Sequence, residues 1–284
     1  MSQSSLLHLD DYPVQLREIN DPPERLYLRG TLPPEGTKYL TVVGSRRMSQ
    51  YAQDVIDHLI AGLAGYPIAI VSGLALGTDG HAHRVAMKHG LTTVALPGSG
   101  LGDSVLYPHS HRPLAKQIID AGGALLSEYP DTEKTHIHYF PARNRIMAGM
   151  SDAVLIIEAG VKSGTLITAR LATEYNRELL IVPHSIFAEG GAGGHVFMRI
   201  GAAPVRTASD ILEALKIVED KPSMELMQLT DEELAVLEAL ADPIPRDELI
   251  RALAIPTGEA NVLLAQMEIR GLIAESLGDI RRLV

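Results

Sequence analysis

The sequence has 284 residues, 46% hydrophobic and 21% charged, enough for one large globular domain and a small second one. A net charge of −10 excludes a general polyanion binder, so any nucleic-acid contact must come from a local basic patch working against the field of the whole molecule. Zero cysteines exclude disulfides and thiolate zinc sites, and no run of about 18 apolar residues is available to span a membrane. Residues 1–20 lack a basic start and an apolar core, so no signal peptide is expected and the composition fits a cytoplasmic protein.

Residues 1–38, with prolines at 13, 22, 23, 33 and 34, read as an irregular lead-in with a short strand near Leu26–Leu28. A strand at Tyr39–Val43 runs into Gly44-Ser45-Arg46-Arg47-Met48-Ser49, and Gln50–Ala64 has helical periodicity. The same design repeats. Strand 68–71 is followed by a glycine-punctuated loop and a helix over 79–89; strand Thr92–Leu96 by a loop to Pro108 and a helix over Pro113–Ala121. A strand at Ala124–Ser127 precedes a short helix opened by FPARNRIMAG at 140–149. Strand Ala153–Ile157, helix Gly164–Asn176 and strand Glu178–Val182 complete the series. Strands alternating with helices predict an α/β fold: a Rossmann-like parallel sheet with helices on both faces over residues 39–218. Glycines at 190, 191, 193, 194 and 201 predict a mobile loop between 184 and 205, before a helix over Ala208–Val218.

Residues 219–228 read as a linker. Beyond it, Thr230-Asp231-Glu232-Glu233 is a capping box. Helices over 231–240, 246–252 and 257–270, then a β-hairpin, predict a winged helix-turn-helix over 229–284. From 224 to 284 there are five arginines and twelve carboxylates, a net of −7, which leaves −3 for the rest of the chain. The third helix has one basic residue, Arg270, at its far end. A helix that reads a major groove needs basic and amide side chains on one face. This domain is therefore expected to dock a protein partner or to oligomerise.

Four constellations carry chemistry. After the first strand, Gly44, Ser45 and Arg46, with Ser49, suit a phosphate held by hydroxyl, N–H and guanidinium groups. After the second, Ser72 and Gly73 lead to Asp79 and His83 at a helix start; Asp79, His81 and His83 lack an evident third ligand for a metal, and the plainer reading has Asp79 capping its helix while His83 bonds the loop. Phe140 with Arg143, Asn144 and Arg145 suits a base stacked on the ring and phosphates on the arginines; the alternative places the ring in the core and pairs the arginines with Glu128 or Glu158. Glu158, Ser163, Gly164, Thr165 and Thr168 form a loop-to-helix turn without the lysine of a P-loop. All of these lie at the carboxyl edge of the predicted sheet, where doubly wound folds bind ligands. No nucleophile–base–orienter set is visible, so neither catalytic residues nor a cofactor is assigned.

With these residues laid out, the chain resembles the DprA/Smf family of DNA-processing proteins from Tyr12 to about Pro183. The resemblance rests on Tyr12-Pro13, Asp21-Pro22-Pro23, Val43-Gly44-Ser45-Arg46 with Tyr51, and Ser72-Gly73-Leu74-Ala75-Leu76-Gly77 with Asp79-Gly80 and Ala82-His83. It continues through Tyr107-Pro108, Leu126-Ser127-Glu128-Tyr129-Pro130, Phe140-Pro141 with Arg143-Asn144-Arg145-Ile146, Glu158-Ala159, and Ser163-Gly164-Thr165 through Arg170. The acidic winged-helix tail matches many members. The resemblance implies a dimer that binds single-stranded DNA, protects it and helps load the RecA recombinase, notably in transformation, and that is not an enzyme. It places Arg46, with Ser45, Ser72, Phe140, Arg143, Arg145 and Thr165, on the strand. The sequence departs from the family where Pro-Gly is usual: here Pro183-His184 and a glycine-rich stretch precede His195–Ala202.

The sequence opens directly on the lead-in, and a compact member of this kind also suits a phage-defence or toxin–antitoxin module. Two other readings stand beside the first. Nucleotide phosphoribohydrolases carry Pro-Gly-Gly-x-Gly-Thr-x-x-Glu, but Thr168 stands where that glutamate belongs. A regulator that binds a small nucleotide, or a partner through its acidic tail, would need no DNA.

Overall fold

The structure, a computed structural model, describes residues 3–218, 230–240, 243–253, 255–269, 272–276 and 278–282. Its contacts divide the chain into two units, residues 1–219 and 220–284. The expected linker at 219–228 and the lone basic Arg270 lie outside the described residues.

The first unit is built on one sheet. Its strands are β1 (Ser5–Leu6), β2 (Tyr27–Gly30), β3 (Lys38–Val43), β4 (Ile68–Ser72), β5 (Thr92–Ala95), β6 (Ala124–Ser127), β7 (Ala153–Ile156), β8 (Glu178–Ile181) and β9 (Ala203–Pro204). They lie in the order β1-β2-β6-β5-β4-β3-β7-β8-β9. From β6 to β9 every pairing is parallel; β2 runs antiparallel to β6, and β1 antiparallel to β2.

Both faces of the sheet are covered, so the central strands carry apolar residues on both faces rather than at alternate positions. Along β3, Tyr39 and Val43 pack on one face, and Leu40 and Val42 on the other. The first face holds α1 (Val14–Arg17), α5 (Tyr139–Met150), α6 (Thr165–Glu174) and α7 (Ala192–Met198) through Leu16, Ile146, Ala169 and Phe197. The second holds α2 (Gln50–Ala61), α3 (Thr78–Lys88) and α8 (Ala208–Ala214) through Ile56, Val85 and Ile211. Next to them α4 (Arg112–Asp120) covers Ala95 and Leu125. Thr41 is the buried polar residue of β3: its hydroxyl meets the Met147 carbonyl and Ser151 Oγ, so its hydrogen bonds are made.

Two expectations are corrected here. The lead-in is more regular than expected: its short strand near Leu26–Leu28 is present as β2, which joins the sheet beside β6, and β1 and α1 are formed as well. Its anchor is Arg29, buried, whose guanidinium donates to the Leu101 carbonyl (2.7 Å) and to Asp103 (2.8 Å). The glycine-rich segment after Pro183 is not a bare loop, because it folds into a 3-10 turn at Glu189–Gly191 and then α7. Its glycines serve close packing: a Cβ on Gly193 would stand 2.7 Å from the Ala159 carbonyl, and one on Gly190 2.3 Å from Glu158 Oε1.

The second unit holds α9 (Asp231–Ala239), α10 (Arg246–Ala252) and α11 (Thr257–Ile269), with β10 (Ile244–Pro245), β11 (Ile273–Ser276) and β12 (Asp279–Arg282) in a sheet of order β10-β12-β11. Both halves of the Thr230–Glu233 capping box are formed. Val236, Leu249, Leu264, Met267 and Ile280 build a separate core. This is a winged helix whose expected hairpin gains a third strand from residues 244–245. Among the described residues no helix is long and apolar enough to cross a membrane.

Candidate nucleic-acid interface

From β3 the chain builds outward through β4, β5 and β6, then returns to place β7 on the other side of β3. The loops leaving β3 and β7 therefore diverge and open a crevice outside the carboxyl ends of the strands. A cavity of about 480 Å3 occupies that crevice. The β3 loop contributes Gly44, Ser45 and Arg46; the β4 loop Ala75, with Asp79 from α3; the β7 loop Glu158 to Gly164, leading to Thr165 and Thr168; and α5 Phe140, Arg143 and Asn144.

These loops are tied to one another by their own motif residues. The N–H and the hydroxyl of Thr78 both donate to the Ser45 carbonyl, at 3.1 and 3.2 Å. Gly77 makes the approach possible at φ +73°, where a Cβ would stand 2.4 Å from the same carbonyl. The Thr165 hydroxyl donates to the Gly44 carbonyl (3.0 Å). Ser45 Oγ accepts from the Arg47 N–H and Ser163 Oγ from the Thr165 N–H, so each serine keeps a hydroxyl proton to donate. The first amides of α6 are engaged within their own turn, so this helix brings its positive end to the cavity rather than free N–H groups.

The cations differ in depth. Arg46 is exposed, and its guanidinium carbon stands 5.1 Å from the centroid of the Phe140 ring, a cation–π contact. Arg143 is only 6% exposed; it donates to the Leu96 carbonyl and lies flat against Gly73, where a Cβ would stand 2.0 Å from its Nη1. Its Nε has no partner among the described residues. Burial above all lowers the Arg143 pKa to about 10, with Arg46 pushing the same way and Asp79 opposing. Asp79 does not cap its helix. It reaches back to accept the N–H groups of Gly73 (3.1 Å) and Ala75 (3.3 Å), fixing the β4 loop. Burial raises its pKa, while Arg143 and those two amides hold it down. Glu158 accepts the Ser49 N–H (3.1 Å) and closes the opposite wall against Gly190.

Twelve of the seventeen residues read as candidates line this cavity. The other five have different duties. Ser49 caps α2 by accepting the Ala52 N–H. Ser72 is fully buried, and its hydroxyl donates to the Val42 carbonyl (2.6 Å). Gly73 makes room for Arg143. His83 is fully buried and bonds Thr93 on β5 (2.6 Å) rather than the loop, out of reach of any ligand. Arg145 turns away from the cavity to pair with Glu128 and, at 3.5 Å, Asp21, because residues two apart on a helix point to nearly opposite sides. Asp79, His81 and His83 likewise part company, since His81 pairs with Asp57 (2.9 Å). The cavity also includes Lys162. A lysine directly before Ser163 was the available signal for it.

The sequence model of DNA recombination-mediator protein A matches residues 4–216, and that of the DprA winged helix domain matches residues 220–279. The chain belongs to the DprA/Smf family. It is 34% identical to protein Smf of Escherichia coli over 96% of this chain and 75% of that one. It is 38% identical to DNA processing protein DprA of Streptococcus pneumoniae over 72% of this chain and 71% of that one. The X-ray structure of the pneumococcal DprA superposes with a TM-score of 0.69 at 36% identity, covering 74% of each chain. DNA processing protein A of Helicobacter pylori, described for its single-stranded DNA binding mode, superposes at 0.65 with 29% identity, covering 75% of this chain and 96% of that one. At Pro183-His184, where the sequence departs from the family pattern, His184 packs edge-on to Tyr51, whose hydroxyl donates to the Pro183 carbonyl (2.8 Å), so the core strand ends on a fixed corner.

Proposed function

We propose that this DprA/Smf protein binds single-stranded DNA along the carboxyl edge of its sheet and delivers it to a RecA-type recombinase, as a homodimer and without catalysing a reaction on the strand. One observation carries the reading: Arg46, Arg143 and Lys162 converge with the Phe140 ring on a single cavity, in a unit whose net charge is small. Cations for the phosphate and an aromatic face for a base are what an unpaired strand needs, and a stacked duplex offers no free base face. The lack of a carboxylate at Thr168 supports binding over nucleotide hydrolysis. An electrophoretic shift with single- and double-stranded oligonucleotides of one sequence tests this. The single strand is expected to shift at lower protein concentration, and addition of a RecA-type recombinase is expected to start DNA-dependent ATP hydrolysis sooner. Equal affinity for the duplex contradicts the reading.

The winged helix is proposed to dock a protein rather than DNA. Its helix α11 carries no lysine or arginine within 257–269 and exposes Val262, at 59%, beside Glu259 and Gln266. Deleting residues 224–284 is therefore expected to leave single-strand affinity within about twofold, because removing a negatively charged domain takes away no phosphate contact. A loss of more than tenfold, read by fluorescence anisotropy, would return the domain to the DNA.

A further inference from the structure

The pair of Tyr107 and Pro108 has no part in the cavity, yet it sits against it. A second cleft, of about 40 Å3, lies between Leu76, Tyr107 and Pro108 on one side and Arg46 and Phe140 on the other, with Gly73 and Ala75 completing it. Two large side chains with no evident structural reason to face water are left open here: Leu76 is 47% exposed and Tyr107 38%. Tyr107 is held in place rather than loose. Its N–H donates to Ser99 Oγ (3.2 Å), and Ser99 is fully buried. Its ring stands 5.9 Å from that of Phe140 at 58°, so the two rings form an open wedge. Gly98 lets the Phe140 ring lie against the backbone, because a Cβ there would stand 2.7 Å from the ring.

The Arg46–Phe140 pair lines both spaces. On one side lie hydroxyls and cations; on the other, aliphatic and aromatic surface. We propose that the Leu76–Tyr107 wedge is a base platform, on which the nucleobase next to the phosphate held at Arg46 stacks. The inference rests on the single-strand reading above and adds a contact to it. The wedge is too small to enclose a base, so it offers a ledge for a π face. Leu76 and Pro108 carry no side-chain hydrogen-bonding group, which suits a contact that accepts any base. The occupant is argued from continuity: the wedge opens beside a cation that would already hold the sugar-phosphate chain.

The test compares the affinity of the full chain for an oligo-dT strand with that for an abasic strand of equal length, by fluorescence anisotropy. Wild type is expected to prefer the strand with bases by about tenfold or more. Leu76→Ala combined with Tyr107→Ala is expected to bring dT affinity down toward the abasic level while leaving abasic affinity unchanged, which also reports an intact fold. Tyr107→Phe is expected to keep the wild-type ratio. Equal losses on both strands, no loss on either, or a changed oligomeric state with an unchanged dT-to-abasic ratio would each overturn the platform. Should wild type bind neither strand, the single-strand reading itself fails and the wedge with it; an unchanged ratio in a protein that binds both strands removes the wedge alone.

Discussion

Exchanging Arg46 and Arg143 together for alanine is expected to weaken binding of an oligo-dT strand by at least a hundredfold. A hydrogen bond from a charged group contributes about 1.5–3 kcal/mol, so two guanidinium contacts correspond to roughly 3–6 kcal/mol, or two to four powers of ten in affinity. The slope of log affinity against log salt should also fall, by about 0.7 for each lost phosphate contact on a single strand. Arg143 cannot be removed without structural cost. It is buried beside Asp79, and its loss strands a carboxylate whose pKa burial already raises. A carboxyl group with a raised folded pKa costs the fold stability progressively as the pH climbs from the unfolded value to the folded one. Without Arg143 the pKa rises further, so the stability deficit of Arg143→Ala should grow as the pH rises above the ordinary carboxylate range. The exposed pair Arg46→Ala and Lys162→Ala separates the two effects: affinity is expected to drop while the unfolding midpoint stays within about a degree, as for surface substitutions in general.

The second large effect is acid lability centred on His83. Thr93 Oγ1 donates its proton to the Ile70 carbonyl (2.9 Å), so in its 2.6 Å contact with His83 it must accept from Nδ1–H. Nδ1 therefore carries a proton, and Nε2 has no hydrogen-bond partner among the described residues. Protonation would put a charge in the core, favoured only by the Ser72 backbone. Burial, then the neighbouring His111, Arg143 and Arg84, push the His83 pKa down from 6.5 to about 3. A histidine with a depressed folded pKa gives its full stability above the unfolded value and loses it as pH falls below 6.5, by about 1.4 kcal/mol per unit. Between pH 6.5 and 4 the loss amounts to roughly 3 kcal/mol. Urea unfolding of wild type and His83→Gln across this range isolates it. The variant's deficit at pH 7.5 is expected to close by about that amount at pH 4; a deficit that stays parallel would show that His83 does not titrate.

The doubly wound core was legible because each central strand is apolar on both faces and ends in glycine and serine before a helix. Of the lead-in only the strand near Leu26–Leu28 was legible, as β2; β1 has two residues and α1 four, too few to show a period, and Arg29 finds its partners at Leu101 and Asp103, more than seventy positions away. The glycines of 190–194 signal a loop by composition, whereas here they exist so that α7 can touch the 159–160 backbone. Within the site, one motif holds Arg143 and Arg145 two residues apart, and only the phase of α5 decides that the first enters the cavity while the second pairs with Glu128. His83 shows the same limit. Its place in a ligand-rim motif gives no sign that Thr93, ten residues on, will hold it in the core.

Photo-cross-linking of a thymine-analogue oligonucleotide to the full chain, followed by mapping of the adducts, tests the location of the strand most directly. Adducts are expected on the segments that carry Arg46, Phe140 and Lys162, that is, within 44–47, 139–144 and 160–165. Adducts confined to 224–284, or to the opposite edge of the sheet around 10–17 and 32–38, would contradict it.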